Sequence, residues 1–106
     1  MVKNDYIGNL VIEFKKNKQI NYLNVIRTAV KDHYDFIKNE LRDWDKVVTE
    51  QEFMDIFNQG LISSIICFTE DKNIPFVDFA RFQIKCYIIN QLNVIQDSSK
   101  DYAYKK

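Results

Sequence analysis

The chain has 106 residues, enough for one domain with a modest core, and 46% of them are apolar, which excludes a disordered chain. Gly and Pro number two and one, too few for the turns of an all-β sandwich, so long helices are expected. Fifteen basic residues balance fifteen acidic ones, which excludes capture of nucleic acid by net charge alone and leaves only a local patch or a partner's charge for that purpose.

Four helices are expected, forming a compact all-α bundle. The first spans Asp5 to Lys16, where Tyr6, Leu10 and Phe14 recur at four-residue steps and so share a face. Val11 and Ile12 widen that face, and Lys15, Asn17, Lys18 and Gln19 make a polar exit. The second spans Asn21 to Leu41, with Leu23, Ile26, Val30, Phe36 or Ile37, and Leu41 inward. Asp32, Asp35, Lys38 and Arg42 fall on its solvated face. A polar connection around Trp44 follows. The third helix has the clearest start. Thr49 and Glu52 have the spacing of a capping box, and Val48 and Phe53 that of a hydrophobic staple. It continues to Phe68, with Phe53, Ile56, Phe57, Gly60, Leu61 and Ile65 inward or partly inward, and Gly60 marks a close helix–helix approach. After a turn from Thr69, Pro75 opens the fourth helix, where its missing N–H is harmless. Phe79, Phe82, Ile84, Ile88, Ile89, Leu92 and Ile95 fit that helix. Residues 1–96 are expected to form the domain and residues 97–106 a polar, frayed tail.

The chemistry of most enzymes is missing from the sequence. His33 is the one histidine, expected at a helix surface or boundary. Pairs such as Asp32/Asp35 and Glu50/Glu52 read as solvated helix positions, and no Gly-rich phosphate loop occurs. No catalytic residue, metal or cofactor is expected. Cys67 and Cys86 lie in apolar helical runs without a CxxC partner, so buried free thiols and a reducing cytoplasm are expected. The start, Met1 to Asp5, has no apolar signal core. The apolar stretch Leu61 to Phe68, interrupted by Ser63 and Ser64, is far too short to span a bilayer.

Two adjoining segments carry a family resemblance. EFMDIFNQGLISSIICF, Glu52 to Phe68, is similar to a helix that reads roughly acid-Leu-Ile-Gln-Glu-Gly-x-x-Gly-Leu-x-x-Ala-x-x-x-Phe. PFVDFARFQIK, Pro75 to Lys85, is similar to Phe-Ser-Thr-Tyr-Ala-x-Trp-x-Ile-Arg, and the step from Phe68 to Phe76 needs no gap. Both patterns belong to region two of the bacterial RNA polymerase sigma factors. The likeness covers Glu52 to Gln91 well and, by apolar pattern alone, reaches back to a helix around His33 to Leu41.

The resemblance implies a region-two-like fold and a transcription initiation role. By position, Glu52, Asp55, Ile56 and Gln59 would face the clamp helices of the largest subunit of core RNA polymerase. Asp55 stands where the family has Gln, Ile56 where it has Glu, and Phe57 where it has Gly; packing is the competing role for Ile56 and Phe57. Phe79, Arg81, Phe82, Gln83 and Lys85, with Lys72 in the turn, would contact promoter DNA, mainly the non-template minus-ten strand. Phe79 replaces a Tyr, and Phe82 and Gln83 replace a Trp pair. Core packing is the competing role for Phe79 and Phe82, and the preferred one for Phe76. A second promoter-binding domain would come from a separate partner protein, or the chain is a piece of a longer factor. An alternative is a sigma-derived interaction protein that holds polymerase or a regulator without reading DNA. A helix-turn-helix regulator of a mobile element ranks lower, because the last helix offers only Arg81, Gln83, Lys85, Asn90 and Gln91 for a major groove.

Overall fold

The structure, a computed structural model, describes residues 4–104, with side chains described through residue 96. It is all-helical: five α-helices and one 3₁₀ turn, with no strand among the described residues. The helices are α1 (Tyr6–Asn17), α2 (Ile20–Ala29), α3 (Lys31–Glu40), α4 (Glu50–Cys67) and α5 (Phe76–Tyr104), and the 3₁₀ turn, Trp44–Lys46, precedes α4.

Each helix end has a chemical cause. Asp5 is the N-cap of α1, and its Oδ1 accepts from the Gly8 N–H at 2.9 Å. That helix ends where Lys18 takes a left-handed conformation, φ 58°, and its N–H bonds the Phe14 carbonyl. At α4 the expected capping box is complete. The Thr49 hydroxyl accepts from the Glu52 N–H at 3.1 Å, and a Glu52 carboxylate oxygen accepts from the Thr49 N–H at 2.9 Å. That bond holds the Glu52 carboxyl below its ordinary range. Val48 and Phe53, the staple pair, are both buried.

The start of α5 depends on the far end of the chain. Pro75 has no side chain that can cap, and the Phe76 N–H instead donates to Asp5 Oδ2 at 2.9 Å. One buried carboxylate therefore caps α1 with one oxygen and α5 with the other, where both helix dipoles favour negative charge. Lys15 does the converse at the end of α4: its ammonium donates to the Ile66 and Phe68 carbonyls. Two polar latches thus fasten α1 to the α4–α5 turn.

The core forms where α4 lies antiparallel on α5. A Cβ on Gly60 would sit 3.3 Å from Ile84 Cα and 3.4 Å from the Tyr87 side chain, so the expected close approach is real. Phe68 packs edge-on against Phe76, with ring centroids 5.1 Å apart, and lies 5.5 Å from Phe79. Leu61, Ile65, Ala80, Ile84 and Ile88 fill the interface, and Val11, Ile26, Val30 and Ile37 close it from the other helices. Ser64, wholly buried among them, is satisfied by donating to the Gly60 carbonyl at 2.8 Å. At the other end Trp44 and Tyr34 pack on Phe53, with centroids 4.7 and 5.7 Å away.

Several expectations need correction. The single helix expected from Asn21 to Leu41 is two, α2 and α3, broken at Val30, where φ is −99° and ψ is 2°. Just before the break the Thr28 hydroxyl donates to the Asn24 carbonyl, a bond that tends to bend helices. Pro75 precedes α5 instead of opening it. On α1 the row Tyr6, Leu10, Phe14 is the edge of the buried face: Tyr6 is exposed and Val11 is the buried centre. Ile37 points inward where Phe36 was the other choice. Cys67, expected buried, closes α4 in solvent while Ile65 and Phe68 carry the inward face; Cys86 is half-buried. Residues 97–104, expected as a tail, continue the helical backbone of α5; residues 105 and 106 lie outside the described residues.

Candidate functional site

The four residues expected to face a polymerase lie on α4, and the helix divides them. Ile56, 7% exposed, belongs to the core with Phe53 and Phe57. It cannot serve as a docking contact, because it shares the inward face that α4 lays on the bundle. Glu52, Asp55 and Gln59 are exposed and, at steps of three and four, form one outward row. Ile62 and Ile66, both exposed, continue that row to the end of α4. Glu52 is engaged in the capping box. Gln51 donates to Asp55 at 3.0 Å, and the Tyr87 hydroxyl donates to Gln59 at 2.8 Å.

The six residues expected to touch DNA are also divided. Phe79 is 9% exposed and packs on Phe68 and Phe76. It is a core residue and offers no face to a base, because α5 turns it toward the end of α4. Lys72, half-buried in the turn, holds its ammonium 5.6 Å from the Phe79 ring centroid. Phe82 is 65% exposed. At 3.6 residues per turn its position falls opposite Ala80 and Ile84, which are fully buried. Gln83 and Arg81 are partly exposed on either side of it.

Among the described side chains, Arg81 and Lys85 of α5 are engaged by α3. The Arg81 guanidinium lies 3.7 Å from the centroid of the Phe36 ring. One turn further along both helices, Lys85 pairs with Glu40 at 2.8 Å. Four residues along α3 correspond to four along α5, so these helices run side by side in the same direction. The same ladder sets the chemistry of His33. Burial first, and then the Arg81 charge, hold its imidazole below the ordinary range, while the Val77 backbone, Asp78 and Asp32 pull it up. His33 is half-buried, at the boundary where the sequence put it.

Phe36 and Glu40 were not singled out as site residues by the sequence. Phe36 entered only as the alternative to Ile37 for the inward position; its own exposure, 41%, is what makes it available to Arg81. Glu40 gave no signal, because its partner is set by the parallel packing of α3 on α5. Two clefts adjoin the ladder and α4. One, of about 410 Å³, lies between the Glu40–Trp44 corner and Ile89, Leu92 and Gln96 of α5. The other, of about 590 Å³, lies at the α2–α3 bend under Tyr34, Met54 and Phe57, with Arg27 and Lys31 at its rim. Among the described residues no group of three or more His, Cys, Asp and Glu side chains could hold a metal ion, and no helix is long and apolar enough to cross a membrane. No protein-family model, no curated protein and no solved structure matches the chain.

Proposed function

We propose that the chain is a sigma-like transcription initiation protein, of region-two type, whose α4 meets core RNA polymerase and whose α5 meets the opened non-template minus-ten strand. The observation that carries this reading is Phe82. A large aromatic ring stands in solvent on the outer face of α5, between Arg81 and Gln83, in a helix that buries its other two Phe residues. Every base has a π face, so an exposed ring can hold an unpaired base whatever its identity. The working DNA set is then Phe82, Arg81 and Gln83. Phe79 supports α5 from within, Lys72 flanks the turn, and Lys85 contributes only when it leaves Glu40. On α4 the docking row is Asp55 with Glu52 and Gln59 beside it. A partner protein would supply upstream promoter recognition.

A second reading is favoured by two observations. Ile62 and Ile66 extend the outward row of α4 as exposed apolar surface, and the Lys85 charge is neutralised by Glu40. Both suit a protein that holds polymerase or a regulator without reading DNA, since interface cores favour apolar residues and exclude charge.

A pull-down with purified core RNA polymerase, followed by crosslinking to a non-template minus-ten oligonucleotide, separates the readings. Capture of polymerase, its loss with Asp55→Lys, and a crosslink to the strand support initiation. Capture without strand contact supports the second reading. A chain that captures no polymerase sinks the first reading and leaves the second only with a regulator as its partner.

A further inference from the structure

We propose that Phe36 of α3 and Arg81 of α5 form, with Phe82, a stacking platform that spans two helices and receives two successive unpaired bases. This inference rests on the nucleic-acid reading above and extends it to a residue outside the segment that resembles the sigma family well. Phe36 is 41% exposed and Phe82 65%, although their neighbours Ile37 and Ile84 are fully buried.

Arg81 joins them. With its guanidinium 3.7 Å from the Phe36 centroid, one face of that flat group rests on the ring. Arg81 is partly exposed, and the platform uses the face and the N–H edge that Phe36 does not cover. A guanidinium plane is a surface on which unpaired bases stack, and its N–H fork suits phosphate. Phe36 is therefore a positioning residue: it holds flat a group that would otherwise sample many rotamers. Position 82 follows position 81 by about 100° around the helix, so the two stacking surfaces lie on adjoining faces. Bases splayed from a single strand can reach both faces, and bases stacked in a duplex cannot. One turn on, the Glu40–Lys85 pair cancels its own charge. Attraction then comes from stacking more than from phosphate neutralisation, and the salt dependence is shallow, set by Arg81 alone.

Fluorescence anisotropy with labelled oligothymidine, and with the same strand in duplex with oligoadenine, tests this for the chain alone and for the chain on core RNA polymerase. The single strand is expected to bind better than the duplex. Phe36→Ala and Arg81→Lys should each weaken it about tenfold, the second although it keeps the charge. Phe36→Trp should retain binding, and Phe36→Ala should leave the salt slope unchanged. Thermal unfolding of each variant fixes a temperature at which all are folded. Should Phe36→Ala not fold, Phe36→Leu keeps an apolar contact, removes the ring, and should show the same loss. If Phe82→Ala weakens binding while folded Phe36 and Arg81 variants bind as the parent does, the platform is wrong and the nucleic-acid reading stands. If the parent binds no strand in either setting, both fall.

Discussion

Asp5 shows how much one side chain can carry. An ordinary N-cap bonds one helix; this carboxylate bonds the Gly8 N–H and, across 71 positions of sequence, the Phe76 N–H. Asp5→Ala should cost about 2–3 kcal/mol, more than the loss of a single cap, and lower the urea midpoint without changing its slope. Gly8 tests the same site from the other side. In a helix, Gly→Ala normally stabilises by about 1 kcal/mol, but here the new Cβ would lie 2.1 Å from Asp5 Oδ2. The carboxylate must leave, and the loss of two caps outweighs the gain. Gly8→Ala should therefore destabilise, and should stabilise once Asp5→Ala is already present. Additive effects in that double-mutant cycle would contradict the account. His33 adds a pH dependence. Burial lowers its pKa in the folded protein, so between that value and the unfolded one, about 6.5, the unfolded chain binds more protons. Stability should fall as the pH drops below about 6.5, and level off below the folded pKa. His33→Gln should flatten that part of the urea-midpoint profile; an unchanged slope would remove His33 as its cause.

At the scale of elements, the distance between α4 and α5 is set at Gly60. The nearest atom to a Cβ there is Ile84 Cα, which is backbone and cannot swing aside. Gly60→Val should force the helices apart and cost about 2 kcal/mol, as overpacking does. Unchanged thermal stability would mean that the contact is not tight. The α4 capping box and this close approach were legible in the sequence because both rest on local signals, a Thr–Glu spacing and a Gly in an apolar helix. The break at Val30 was not legible. Ile26, Val30 and Ile37 are all buried at helical spacing on both sides of it, so the apolar period runs through the bend without losing phase. The inward turn of Ile56 was open for the same reason, since an apolar residue beside Phe57 suits either a core or an interface. Asp5 as the cap of α5 was beyond reach, because nothing near Pro75 points to a residue at the other end of the chain.

For the molecule as a whole, fifteen bases balance fifteen acids, and some of that charge is paired locally, as Lys38 with Glu50 and Lys85 with Glu40. The sequence excluded bulk electrostatic binding, and the pairing of Lys85 leaves Arg81 as the other cation among the described side chains of α5. Of the two aromatic candidates, Phe79 is core and Phe82 is exposed. Three residues apart on α5, the two are separated by which of them meets the end of α4, and periodicity alone does not encode that. The proposed strand contact depends on what Phe82 touches in a polymerase complex. The direct measurement replaces Phe82 with photoreactive benzoylphenylalanine, which keeps an aromatic ring, and crosslinks the chain on core RNA polymerase with promoter DNA. A crosslink to the non-template minus-ten strand that requires polymerase is expected. A chain that binds polymerase yet crosslinks from position 82 only to protein, or to nothing, would contradict it.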